Sequence, residues 1–357
     1  MSAGRQEHLA QLDAEIDNLH AALRWAANRP DADHAIALVA ALGSYWLMRD
    51  RYSEAIEWID QALAVPGTDA RPALRVRALC VKAWCLQWLG RGIEQPPAMA
   101  EAEAIARTLP DPVVLSRALQ MRAACEAYFG RRDVAETLAD EALDQAMAAE
   151  DDWTIATAAF AKAISATTID ELCERVDRAA ALLDDVGNVY RLADLFVAAA
   201  YGALRVASDH DAKTFVARAI PLVRRLDNPI SWLILQGNRG LAALLSGDTD
   251  DARDAFREEL TLCHELAARP IAFEALRGLA GVAVVHGDAK RAATLVGAAA
   301  THRYGKPQDP VDARLDAAFL EVARTRYGAE TWTAAVREGG ALSFEDAIAY
   351  ALEEPRA

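Results

Sequence analysis

The chain has 357 residues, of which 53% are hydrophobic and 25% charged, and its formal net charge is −15. The apolar content is enough for a continuous core, so general disorder is excluded. Basic residues form no run longer than Arg131-Arg132 or Arg224-Arg225, which argues against direct contact with nucleic acid. Alanine, the strongest helix former, occurs 80 times. An all-α protein is the first expectation.

The N-terminal segment has no apolar run of signal-peptide length, and no long uncharged stretch follows it. Five cysteines are scattered through helical patterns, as expected of small core residues in a reducing compartment. These features predict a cytoplasmic protein that does not contact a membrane.

Short polar turns recur at a nearly fixed interval. Six clear turns are spaced by 40, 40, 79, 38 and 40 residues, and they are Asp50, Gly90, Gly130, Asp209, Gly247 and Gly287. The double interval conceals a degenerate turn, which we place at 167–170. Each period accommodates a helix, a tight turn and a second helix. We therefore predict one repeat domain over 1–357, an α-solenoid of about seven antiparallel helical hairpins, with an N-terminal helix in 1–30 and capping helices in 306–357.

Small residues stand seven positions before each clear turn, and they are Gly43, Ala83, Ala123, Gly202, Gly240 and Ala280. The ninth position after a turn is often larger, as at Phe256. We expect the helix backbones of a hairpin to approach closely at the small positions, while the larger residue fills the gap to the next hairpin.

The sequence around one turn resembles the tetratricopeptide repeat, with Gly287 followed by Ala292, Val296 and Ala299. The period near 40 exceeds the 34 residues of that repeat. Helices one turn longer, or longer connections such as 107–112, would supply the difference. HEAT-type arrays are the structural alternative.

The ends of the chain carry a second resemblance. Segments 12–26 and 34–46, and then 292–300 and 335–347, are similar to the helical arm of large bacterial regulators. Those proteins join a STAND ATPase to a tetratricopeptide-like arm and usually to a LuxR- or AfsR-type DNA-binding domain. The resemblance implies a sensor and protein-interaction arm that binds an effector or partner and controls the attached modules. The resemblance does not specify the oligomeric state, and a homo-oligomer is one alternative.

A phosphate-binding G-x-x-x-x-G-K-[ST] loop does not occur in the sequence, and no helix-turn-helix follows Ala357. The resemblance therefore covers the arm alone. We expect either a piece of a larger regulator or a stand-alone homologue.

Aromatic residues are dense in the first quarter of the chain, which holds five of the eight tryptophans. Most are expected to pack the N-terminal hairpins. The remainder could line a concave groove for a small-molecule effector or a protein partner, because large rigid aromatics favour binding. The predicted binding residues are Tyr45, Trp46, Trp84 and Trp88.

An enzyme is the alternative function. Asp250, Asp251 and Asp254 form a D-D-x-x-D string like that of magnesium-dependent, all-helical terpenoid synthases. However, acidic residues after a turn also stabilise a helix N-terminus, and no second metal motif accompanies them. Asp151-Asp152 and Asp184-Asp185 could act as acid and base, yet adjacent acids on a helix diverge. No two histidines have the H-x-x-x-H spacing. We expect no catalysis, no metal and no cofactor.

Overall fold

A computed structural model describes residues 3–28, 32–303 and 308–353. Every regular element in those ranges is helical, which confirms the all-α prediction. Seven consecutive pairs of helices form antiparallel hairpins, as the spacing of the turns predicts. The pairs are α3 (Ala32–Met48) with α4 (Tyr52–Leu63), α5 (Pro72–Trp88) with α6 (Gln95–Ala106), α7 (Pro112–Tyr128) with α8 (Arg132–Ala148), α9 (Asp152–Ile164) with α10 (Ile169–Asp185), α11 (Val189–Arg205) with α12 (Asp209–Leu226), α13 (Pro229–Leu245) with α14 (Thr249–Glu265), and α15 (Ala272–Val285) with α16 (Ala289–Thr301).

Further helices flank the hairpins. Before them lie α1 (Ala3–Ala14) and α2 (Ile16–Asn28), so the single N-terminal helix predicted for 1–30 is two helices. After them come α17 (Pro310–Leu315), a π-helical turn (Asp316–Leu320), α18 (Glu321–Tyr327), α19 (Ala329–Gly340) and α20 (Phe344–Leu352). The outer limits of both predicted end segments lie outside the described residues.

The chain divides into two compact units, Met1–Leu195 and Phe196–Ala357. The boundary falls inside α11, and the hairpin pattern continues through it. Unit 1 and unit 2 are described separately below.

The long period comes from long helices. Helices α5, α7 and α13 have 17 residues each, whereas only three residues separate α7 from α8 and three separate α8 from α9. Of the two explanations that the sequence leaves open, longer helices therefore account for most of the extra length. A longer connection contributes before α5, where the 3₁₀ turn Thr68–Ala70 lies.

At five of the six clear turns, the residue that marks the turn adopts the left-handed conformation. Gly90, Gly130, Gly247 and Gly287 have φ between 69° and 87°, and Asp50 has φ 52°. This conformation closes a helix C-terminus and favours glycine.

Two turns differ in position from the prediction. In the fifth hairpin the left-handed residue is Ala207, with φ 62°, because Asp209 already belongs to α12. The degenerate turn occupies 165–168 rather than 167–170, since the Thr168 hydroxyl caps α10 by accepting from the Glu171 N–H and the helix begins at Ile169.

Small residues permit close packing in unit 2, as expected at Gly240. A Cβ on Gly240 would lie 2.6 Å from Cε1 of Phe256 in the same hairpin. The expected neighbour was a helix backbone, and the structure instead places an aromatic ring there. Phe256 is fully buried and also lies against Gly278 of the next hairpin. The large residue at the ninth position therefore fills the space between hairpins.

Backbones do meet at the end of unit 2. A Cβ on Gly297 would overlap the Val336 carbonyl oxygen, and one on Gly339 would overlap that of Thr294. Helices α16 and α19 therefore pack in direct backbone contact. Segment 292–300 lies in α16, and segment 335–347 begins in α19 and ends in α20.

Four cysteines are buried and Cys173 is half-buried, and none of the five forms a disulfide. Across the described ranges, no helix combines the length and the apolar character needed to cross a membrane.

Candidate functional site

A cleft opens on the inner face of unit 1. Its walls come from the first helices of four consecutive hairpins, α3, α5, α7 and α9, and from the start of α11. The cavity volume is about 150 Å³. The repeat geometry thus brings residues from five helices to one place, although they are far apart in sequence.

A long-range hydrogen bond holds the two ends of this cleft together. The Tyr190 hydroxyl on α11 donates to the Leu47 carbonyl oxygen near the end of α3, at 2.7 Å. The Tyr52 hydroxyl lies 3.3 Å from that of Tyr190 and donates to Asp50 Oδ1 at 2.7 Å. The buried hydroxyls fix the C-terminal end of α3 against the start of α11 within unit 1, because a buried polar group needs its partner.

Three arginines line the cleft, Arg77 on α5, Arg117 on α7 and Arg191 on α11, and no lining residue is acidic. Burial and then the neighbouring Arg117 guanidinium lower the pKa of Arg77. Burial lowers the pKa of Arg191, and Arg117 contributes in the same direction. The Arg117 guanidinium therefore repels those of Arg77 and Arg191 in a partly desolvated site.

Arg77 and Arg117 form no ion pair with a described carboxylate. Asp151 is close enough for Arg117 to lower its pKa, but its carboxylate caps α9 and accepts from the Thr154 N–H at 2.7 Å. An arginine in a cleft without a carboxylate partner is poised to bind an anion.

Arg191 packs on Trp84. Its guanidinium carbon lies 3.7 Å from the centre of the indole ring, a cation–π contact. Among the residues that the structure describes, its carboxylate partner is the buried Asp194, with 3.9 Å between Nη1 and Oδ2. Burial raises the pKa of Asp194 to about 7, although the Arg191 charge acts in the opposite direction. The indole therefore holds the guanidinium in place, while the acid compensates it only weakly.

Two buried donors in the cleft wall lack a partner among the described residues. They are Nδ2 of Asn188 and Nε1 of Trp84. The residue Asn188 is 2% exposed and the residue Trp84 is 6% exposed. The side-chain oxygen of Asn188, Oδ1, accepts a hydrogen bond from the backbone N–H of Arg191 at 3.1 Å. Because a buried donor without an acceptor costs free energy, both groups favour a ligand that accepts hydrogen bonds.

The four aromatic residues predicted to bind lie in different surroundings. Trp84 lines the cleft, and the Trp88 ring lies 5.9 Å from it but outside the lining. Tyr45 is buried and donates to Asp13 Oδ1 at 3.0 Å. Trp46 is fully buried and donates to Glu54 Oε1 at 3.0 Å. Their neighbours Ser44, Leu47 and Met48 provide the α3 wall instead.

The sequence reasoning missed the arginines, because it searched for basic residues adjacent in sequence. Arg77 and Arg117 occupy the same position in successive repeats, one period apart, and Thr157 follows one period later. Aligning the first helices of the hairpins would have identified this inner-face row. Arg191 lies outside that register, and only the fold brings it to the cleft.

The acidic triplet of the alternative enzyme function lies at the N-terminus of α14. Asp250 and Asp254 flank Arg253, with nearest N–O distances of 2.9 and 3.4 Å, and their side chains are 81% and 67% exposed. Asp251 pairs with Arg239. In the ranges that the structure describes, no group of three or more His, Cys, Asp or Glu side chains is placed to hold a metal ion.

Comparison with known proteins gives a partial similarity. No protein-family model matches the chain. Over 157 residues, 42% of the chain, it is 31% identical to proteins of Mycobacterium bovis and Mycobacterium tuberculosis that are named as HTH-type transcriptional regulators. The matched part amounts to 18% of the length of these relatives.

A solved structure shares the fold. It is a Rap protein complexed with competence and sporulation factor, and the match covers 84% of this chain and 77% of that one. The TM-score is 0.53 and the sequence identity 15%. The likeness supports a helical solenoid.

Proposed function

We propose that this chain is the non-catalytic sensor and protein-interaction arm of a transcriptional regulator. In this proposal it binds an effector or partner and controls STAND-type ATPase and LuxR- or AfsR-type DNA-binding modules attached to it. The observation that carries the proposal is the 31% identity over 157 residues to proteins named as HTH-type regulators. The Rap structure supports the binding role, because there a protein of similar fold is complexed with competence and sporulation factor.

The cleft of unit 1 is the proposed effector site. It combines unpaired cations with buried donors that lack acceptors, and its walls belong to several hairpins. A ligand bound there touches α5, α7 and α11 together. If it binds one arrangement of these helices more tightly than another, it shifts the population of the array and thereby the attached modules.

Transcript profiling tests the regulatory role. We compare a strain lacking the gene with strains in which the gene encodes Arg77→Gln with Arg117→Gln, or Arg178→Gln as the control. Arg178 is an exposed arginine of unit 1 on α10, away from the cleft. Far-ultraviolet circular dichroism and melting curves of the purified variants establish that each is folded.

The double cleft variant is expected to change a set of transcripts that deletion also changes, and Arg178→Gln should leave the profile as in the wild type. A deletion strain with an unchanged transcript profile would overturn the regulatory role. A changed profile on deletion that the folded cleft variant does not reproduce would remove the cleft as the effector site.

A further inference from the structure

The charges of the cleft specify the kind of ligand. Three guanidinium groups face it, and within the described ranges the one carboxylate paired with any of them is Asp194, 3.9 Å from Arg191. Two positive charges, on Arg77 and Arg117, are left without a paired carboxylate among the described residues. In a protein with a net charge of −15, this local excess of positive charge is unusual. A ligand with two negative charges would neutralise it.

The size of the cleft limits the ligand. A cavity of about 150 Å³ lies below the ~300 Å³ at which drug-sized pockets begin. A charged head group with a short carbon skeleton fits this space, whereas a folded segment of a protein does not.

The walls of the cleft supply further groups that a ligand can contact. Val81 and Met121 provide apolar surface, and the buried Asn188 amide and Trp84 indole provide donors without acceptors. Carboxylate and phosphate oxygens accept hydrogen bonds, and guanidinium groups bind both in a bidentate manner. A purely inorganic ion would leave the apolar walls unused.

We propose that the cleft binds a small organic dianion, either a dicarboxylate or a phosphomonoester, shared by Arg77, Arg117 and Arg191. This inference rests on the proposed function, since it names the chemical class of effector that the arm senses. Arg191 is held on the indole of Trp84, whereas Arg77 and Arg117 carry the charges that the ligand neutralises.

Isothermal titration calorimetry of the 357-residue chain tests the proposal. The probes are succinate and phenyl phosphate as organic dianions, inorganic phosphate as a bare ion, acetate as a monoanion, and a hexaglutamate peptide. Sodium chloride keeps the ionic strength constant, because screening weakens every charged contact. Arg77→Gln, Arg117→Gln and Arg77→Lys are compared with the control Arg178→Gln.

One of the two organic dianions should bind with one-to-one stoichiometry and more tightly than inorganic phosphate or acetate. Which of them binds distinguishes a dicarboxylate from a phosphomonoester. Each Arg→Gln change should weaken binding by about tenfold or more, because a hydrogen bond to a charged group is lost. Arg77→Lys keeps the charge but not the planar fork, so it should lie between Arg77→Gln and the wild type.

Four results would overturn the inference: neither organic dianion binds, both bind no better than inorganic phosphate, binding survives both Arg→Gln changes, or only the hexaglutamate peptide binds. Transcript profiling separates this failure from failure of the proposed function. Cleft variants that change transcription without any dianion binding contradict the ligand class alone. Dianion binding with transcription unaffected by deletion contradicts the regulatory role alone.

Discussion

Phe256 on α14 occupies the space that a side chain at position 240 of α13 would need, since a Cβ on Gly240 would stand 2.6 Å from Cε1 of the ring. Phe256 is fully buried, so the ring has little room to move. We expect Gly240→Ala to lower the free energy of unfolding by ~1–3 kcal/mol through overpacking. Urea denaturation followed by circular dichroism measures this.

A double-mutant cycle shows whether the ring is the cause. Phe256→Leu removes Cε1 and Cζ, two of the three ring atoms nearest to position 240. Gly240→Ala should therefore cost clearly less in that background than in the wild type. Equal costs in the two backgrounds would mean that position 240 is limited by something other than Phe256. Arg253→Leu, a change at a half-exposed position on α14, should cost little and serves as the control.

Trp88 provides a test of packing against binding. Its side chain is 8% exposed, and its ring lies beside Trp84 but outside the cleft lining. Trp88→Ala should therefore remove ~3–5 kcal/mol from the free energy of unfolding, the usual cost of deleting a buried indole. An unchanged melting temperature together with a lost transcriptional response would assign Trp88 to binding instead.

The hydroxyl of Tyr190 closes unit 1 by donating to the Leu47 carbonyl oxygen. Tyr190→Phe retains the ring and leaves that carbonyl without this donor, so we expect a loss of ~1–3 kcal/mol in the free energy of unfolding. Urea titration of the variant is compared with Tyr327→Phe, a half-buried tyrosine of unit 2. A loss no larger than that of Tyr327→Phe would show that closure depends on packing alone.

Asp194 makes stability depend on pH. Burial raises its pKa from 3.8 to about 7 in the folded chain, against the lowering effect of Arg191. Between these values the folded protein keeps a proton that the unfolded chain has released, so the free energy of unfolding falls as the pH rises from about 4 to about 7. Above about pH 7 Asp194 is ionised in both the folded and the unfolded chain, so it no longer makes the free energy of unfolding change with pH.

Asp194→Asn removes this dependence. The melting temperature of the variant minus that of the wild type should increase between about pH 5 and about pH 8. Using the difference cancels the titration of other groups, such as His302, whose pKa burial lowers. Asp184→Asn, at an exposed position, is the control. A difference that stays constant with pH would show that Asp194 is ionised throughout.

The thiols should react in the order of their exposure. Burial raises the pKa of Cys80 to about 12 and that of Cys125 to about 11, so neither forms the reactive thiolate at neutral pH. Brief treatment of the native chain with iodoacetamide should modify Cys173, which is half-buried, before any other cysteine. Mass spectrometry of the digested protein locates the modification, and early labelling of Cys80 would mean that the cleft opens readily.

Much of the fold follows from the sequence because it depends on local rules. A turn residue with positive φ closes six of the seven hairpins, and where that residue is glycine, as at Gly130 and Gly247, the turn can be located from the sequence alone. The fifth hairpin was harder to place because its left-handed residue is Ala207, a type with no turn preference. The length of the period alone could not distinguish longer helices from longer connections.

The cleft was only partly predictable, since it depends on how the hairpins stack. Aromatic density pointed to Trp84, which lines the cleft, but also to Trp46, which the fold buries completely. Helical periodicity does not tell which buried face becomes an inner surface. The approach of Arg191 to Trp84 joins residues more than a hundred positions apart, and no local pattern encodes it.

The bond between Leu47 and Tyr190 also bears on how the protein is made. The two residues are 143 positions apart, whereas the contacts inside each hairpin are local and form as soon as its helices exist. At ~5–20 residues per second, the ribosome needs roughly 7–30 s to supply Tyr190 after Leu47. During co-translational folding the early hairpins therefore stack while the cleft is still open at one end. In a nascent chain the cleft is complete only when α11 emerges, so the ligand that we propose for it can bind only after most of unit 1 has been synthesised.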